Sequence, residues 1–151
     1  MSKFGSLAPS DKPYRVNIKL DGKQIFDKDG KPFYIDIYSE DGVIGRRFDK
    51  EQRETALANA RNGIDQPSQI ELNIAKCAAL TAGWHLVDPE TLEAIDEECT
   101  FESAKELYSL PMTTWIWIQP WAAANNHVNF IRRSARNSST TQSGISAIAA
   151  E

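Results

Sequence analysis

Cysteine is scarce in this 151-residue chain, which has Cys77 and Cys99 and no others. Two are too few for the disulfide framework that small secreted domains use to supplement a small core, and both are read as reduced thiols. Long apolar runs are missing as well. No stretch approaches the roughly 18 apolar residues of a spanning helix, and the opening MSKFGSLAPSDKPYR has no apolar segment of the secretory kind. The chain is expected inside a cell, with no membrane partner. Signatures of chemistry are thin too. Neither a G-x-S-x-G elbow nor a Gly-rich phosphate loop occurs, and Cys77, His85, Cys99 and His127 match no paired zinc-knuckle spacing. The chain is therefore read as no enzyme, with no catalytic residue, metal ligand or cofactor.

Cations nearly vanish from the middle. Residues 64–131 carry Lys76 and Lys105 against ten acidic residues, a local net charge of −8 inside a chain whose total is −4. A phosphate backbone demands clustered Lys and Arg, so nucleic acid is not expected as a partner. A basic or neutral protein suits this stretch better. Glu93, Asp96, Glu97, Glu98 and Glu102 are read as a solvated acidic face, because charge runs normally stay in water.

What is present reads as one α+β domain, mainly α, spanning residues 16–133 between flexible segments 1–15 and 134–151. VNIKL and PFYIDIY have the β-branched and aromatic content of strands. The Asp-Gly pairs at 21–22 and 29–30 supply turns, which predicts a β-hairpin or meander over 16–38. It would pack on a bundle of about four helices, near 49–62, 68–82, 101–109 and 114–128. Asp49 is taken as N-cap of the first and Gly63 as its C′ residue. Ser68 with Glu71 forms a capping box for the second, with apolar residues on two sides that make it the most buried helix. Gly83 stops it, and Trp84 follows in extended chain. Asp88-Pro89-Glu90 is a turn, and Thr100 caps the third helix, on which Phe101, Leu107 and Tyr108 share a packed face. TTWIWIQ has strand propensity, but Trp117, Trp121, Ala124 and Val128 recur at helical spacing, predicting a helix kinked near Pro120.

All four tryptophans lie between residues 84 and 121. Trp115, Trp117 and Trp121, with Val128 and Phe130, put apolar side chains on more faces than a one-sided helix can bury. They are read as an apolar protein-binding platform.

The order of these features resembles the tail assembly chaperones of long non-contractile-tailed bacteriophages. DGKPFYIDIYSEDG precedes the Arg-bearing RRFDKEQRETALANAR; an apolar helix then ends in Gly83-Trp84, followed by FESAKELYSLP and by W-I-x-Q with Gln119. The match covers roughly residues 22–131, through Asn129-Phe130, and departs from the family's usual pattern at Pro120 and in the uncharged AAANNHV. The resemblance implies binding to the tape measure protein, recruitment of the tail tube protein, self-association, and a place in the host cytoplasm rather than in the mature virion. Two other readings compete: a structural tail or neck subunit of the virion, and a small cytosolic enzyme or regulator.

Overall fold

The computed structural model describes residues 3–131. The tail expected over 134–151 lies outside the described residues. Strands β1 (Tyr14–Asn17), β2 (Lys19–Leu20), β3 (Lys23–Gln24) and β4 (Tyr34–Ile37) come first, followed by helices α1 (Val43–Arg61) and α2 (Gln69–Leu80). Then come β5 (Thr81–Val87), β6 (Ala94–Ile95), α3 (Phe101–Ser109) and α4 (Thr114–Ala124). Short 3-10 turns occupy Gly5–Leu7 and His127–Phe130. The α+β class inferred from the sequence is the one observed.

The hairpin expected over 16–38 is β1 paired antiparallel with β4, with the small β2–β3 ribbon looped out between them. The strand begins at Tyr14, so the segment read as flexible contributes two residues to the sheet. Ser10 N–H also donates to the Phe130 carbonyl at 2.8 Å. The main sheet has the order β1-β4-β5-β6, all antiparallel. Alternation sets its faces: Ile35 and Ile37 are buried, while Tyr34 and Asp36 point away. On that outer face the Arg15 guanidinium stacks on the Tyr34 ring at 3.7 Å and pairs with Asp36 at 2.9 Å. Both contacts fix a cation that would otherwise roam.

Helix α1 starts at Val43, with Gly42 rather than Asp49 in the N-cap position, six residues before the expected start at 49. Local signals missed those six residues because their cause is tertiary: Gly45 packs directly on the backbone of Glu40, an approach no side chain allows. Asp49 instead sits within the helix and, with Glu40, holds the Lys76 ammonium at 3.0 and 3.2 Å, tying α1 to α2. Gly63, at φ +66°, ends α1 as expected, and Ile64 N–H returns to the Asn59 carbonyl in a Schellman-type closure.

The Ser68–Glu71 capping box of α2 is formed on both sides. The helix stops at Leu80, however, and Gly83 is not its terminator but a strand residue opposite Asp36. Thr81 makes the change of direction: its hydroxyl donates to the Cys77 carbonyl at 2.8 Å and meets the buried Tyr108 hydroxyl at 2.8 Å. A buried phenol needs such a partner. Helix α3 begins at Phe101 behind the N-cap Thr100, whose capping box closes through Ser103.

The stretch TTWIWIQ is helical from its second threonine, Thr114, and α4 continues through Pro120. It ends at Ala124 rather than 128, and Asn126 caps the tighter His127–Phe130 turn. With Ile116, Trp117, Pro120 and Ala124 buried, α4 rather than α2 holds the most buried residues among the helices. It rests on β1 and β4 on one side and on α2 on the other.

Candidate functional site

The tryptophan platform does not assemble. Trp117 is 3% exposed and Phe130 2%, both inside the core, and the Phe130 ring stands edge-on to Tyr14 at 6.1 Å. Trp115 is half-buried and meets the Phe33 ring edge-on at 6.4 Å. Trp121, also half-buried, lines a cleft with Phe48, Leu72 and Lys76 on the α1–α2 side. Only Val128 is exposed. The faces of α4 that seemed surplus are covered because the helix lies between the sheet and α2, so two layers bury what one layer could not.

An apolar cleft with two exposed rims lies elsewhere, where β5 and β6 meet α3. Trp84 and Leu86 project from one face of β5, two residues apart, and Ile95 comes from the paired edge strand β6. Leu107 and Leu110 form the opposite wall from α3. Ile95 is 49% exposed and Leu110 50%, so the rims of this cleft are in water. Its volume is ≈ 190 Å³, below the roughly 300–1,000 Å³ of small-molecule sites. It fits inserted side chains better than a cofactor. Rigidity comes from the Trp84 indole N–H, which donates to the Glu97 carbonyl at 2.8 Å, and from Ser103, whose hydroxyl donates to the Glu98 carbonyl at 2.7 Å.

The expected acidic face borders this cleft. Glu97 and Glu106 line it, and Asp96, Glu98 and Glu102 are exposed on the same linker and first turn of α3. Among the described residues, ion pairs involve none of these five carboxylates. Glu93 differs, standing 3.5 Å from Lys28. The sole cation of α3, Lys105, is turned to the α2 side, where it lines a different cleft and lies 5.9 Å from the Phe101 ring. Phe101 itself is exposed, contrary to its expected place on the packed face, whereas Leu107 and Tyr108 do pack inward. Gln119 is a fold clamp whose amide holds the Lys19 backbone.

Other reactive groups are spoken for. His85 Nε2 donates to Asp27 Oδ2 at 2.7 Å, and Asp27 Oδ1 takes the N–H groups of Asp29 and Lys31 at 2.9 Å each. The Lys31 N–H first, then His85, holds the Asp27 carboxyl below its ordinary range. Burial raises the Cys77 thiol, and it pushes Cys99 up to about 11, which leaves both poor nucleophiles. Among the described residues no group of three His, Cys, Asp or Glu side chains is placed to hold a metal ion, and no helix is long and apolar enough to cross a membrane.

Sequence reasoning found the carboxylates of this site and Trp84 and Leu107, but assigned the last two to structure and missed Ile95 and Leu110. A signal existed: both are isolated aliphatic residues beside acids or turn residues, where no helical or strand period demands them. No protein-family model, curated protein or solved structure matches the chain.

Proposed function

We propose that the chain is a bacteriophage tail assembly chaperone that binds the tape measure protein, keeps it soluble and helps recruit tail tube subunits during tail morphogenesis in the host cytoplasm. The observation that carries this reading is the apolar cleft of Trp84, Ile95, Leu107 and Leu110, open to water and bordered by unpaired carboxylates. An apolar cleft with half-exposed rims and a charged border suits the insertion of a partner's aliphatic side chains, and a long helical client with uncovered apolar stripes supplies the complementary surface. The order of sequence features shared with that family, from DGKPFYIDIYSEDG to W-I-x-Q, supports the same reading.

Co-expression with the cognate tape measure protein tests it. The wild-type chain is expected to hold the client in the soluble fraction, and the double variant Ile95→Asp/Leu110→Asp to lose that ability while remaining folded. A tape measure protein that precipitates equally with and without the wild-type chain overturns the reading. Mass spectrometry of purified virions adds a second check, since a chaperone is expected to be absent and a tail subunit present.

A further inference from the structure

Resting on the client-binding reading above, we propose that the β5–α3 cleft selects one chemical class of client segment: an amphipathic helix whose apolar spine is flanked by Lys and Arg. Three observations lead there. First, a volume of ≈ 190 Å³ and a wall of Trp84, Leu107 and Leu110 suit one or two aliphatic side chains presented from a helix. Second, the border is of one sign. Asp96, Glu97, Glu98, Glu102 and Glu106 stand within a span of eleven residues that includes one cation, Lys105, and that cation is turned away toward α2. Third, none of the five carboxylates is neutralised by an ion pair among the described residues.

Gathered like charges repel one another in the free protein, and a cationic partner relieves that repulsion as it docks. Exposed carboxylates contribute little to final affinity individually, but together they steer encounter and reject acidic competitors. The apolar cleft then sets how tightly the spine is held, and the border sets which spines are admitted. Anionic helices and nucleic acid are excluded by the same field.

The test uses the full chain and two synthetic helical peptides of about 18 residues. Both carry the same Leu/Ile spine at i, i+3, i+4 and i+7; one has Lys/Arg flanks and the other Glu flanks. Binding is followed by two-dimensional NMR through the Trp84 indole N–H and the backbone amides. The basic peptide is expected to shift Trp84, Ile95, Leu107 and Leu110 and to bind at least about tenfold tighter than the acidic one. Its affinity should fall about tenfold or more between about 50 mM and about 500 mM salt, as screening of surface charge requires. Glu97→Lys/Glu106→Lys should reverse the preference, and Ile95→Asp should weaken both peptides. Equal binding of the two peptides, no binding, or shifts confined to α1 would overturn the proposal. The two readings fail separately. A tape measure protein solubilised equally well by Glu97→Lys/Glu106→Lys sinks the electrostatic selection and leaves the chaperone, whereas selective peptide binding without any effect on the tape measure protein does the reverse.

Discussion

The side-chain amide of Gln119 reads the backbone of Lys19 as a neighbouring strand would, accepting its N–H at 2.9 Å and donating to its carbonyl at 2.9 Å. The same Nε2 also donates to the Trp115 carbonyl at 2.7 Å, so one side chain ties α4 to the bend between β1 and β2. Both backbone groups of Lys19 would otherwise face outward beyond the last β1 pair, and the amide closes that edge.

Gln119→Leu keeps the volume but leaves those groups unpaired. It is expected to lower unfolding stability by about 1–3 kcal/mol. Gln119→Glu should be at least as harmful, since a carboxylate cannot donate to the Lys19 carbonyl. Urea unfolding followed by tryptophan fluorescence measures both, and a change within error would show that water replaces the amide.

Gly45 gives a prediction whose sign discriminates. In an open helix, Gly→Ala stabilises by about 1 kcal/mol. Here a Cβ would collide with the Glu40 backbone, and that backbone cannot easily retreat because Glu40 N–H is bonded to the Ala124 carbonyl at 3.0 Å. Gly45→Ala should therefore destabilise by about 1–3 kcal/mol. A stabilised variant in thermal unfolding would refute the close packing of α1 on this turn.

Acid should loosen the turn that Asp27 anchors. Its carboxyl is held below the ordinary range by the Lys31 N–H and then by His85, so the unfolded chain takes up this proton more readily than the folded one. The contribution is complete above about pH 4 and is lost as pH falls through the depressed folded value. Stability of the wild type should fall more steeply than that of Asp27→Asn between about pH 4 and pH 2, with Asp27→Asn less stable at neutral pH. Parallel curves in denaturant titrations across that range would remove Asp27 as the cause.

Tryptophans separate structure from binding. Trp117→Ala opens a cavity in the core and should cost about 3–5 kcal/mol of stability. Ile95→Asp, on a half-exposed edge strand, should cost about 1 kcal/mol or less while abolishing client solubilisation. Measuring stability and client solubility for both variants checks the division; the opposite pairing would return the binding surface to α4.

Local chemistry was legible wherever a short stretch carries its own reason. The Ser68–Glu71 capping box, the Thr100 cap, the Gly63 terminus and the turns at Asp27 and Asp88 all satisfy backbone groups within a few residues. The start of α1 was not legible, because Gly45 is helical through a contact with a preceding turn held by α4. Nor was the end of α2, where the chain turns directly into a strand on hydroxyl bonds made by Thr81.

By itself the sequence determined the α+β class, the α3 and α4 starts and the acidity of residues 88–106, since periodicity, caps and charge are properties of neighbours. Tertiary structure alone decided which apolar residues remain in water. Trp117 and Phe130 vanish between two layers, whereas Ile95 and Leu110 stay open because α3 is too short and β6 too near the edge to be covered. Exposure is a property of what packs on a residue, and that is settled by elements distant in the chain.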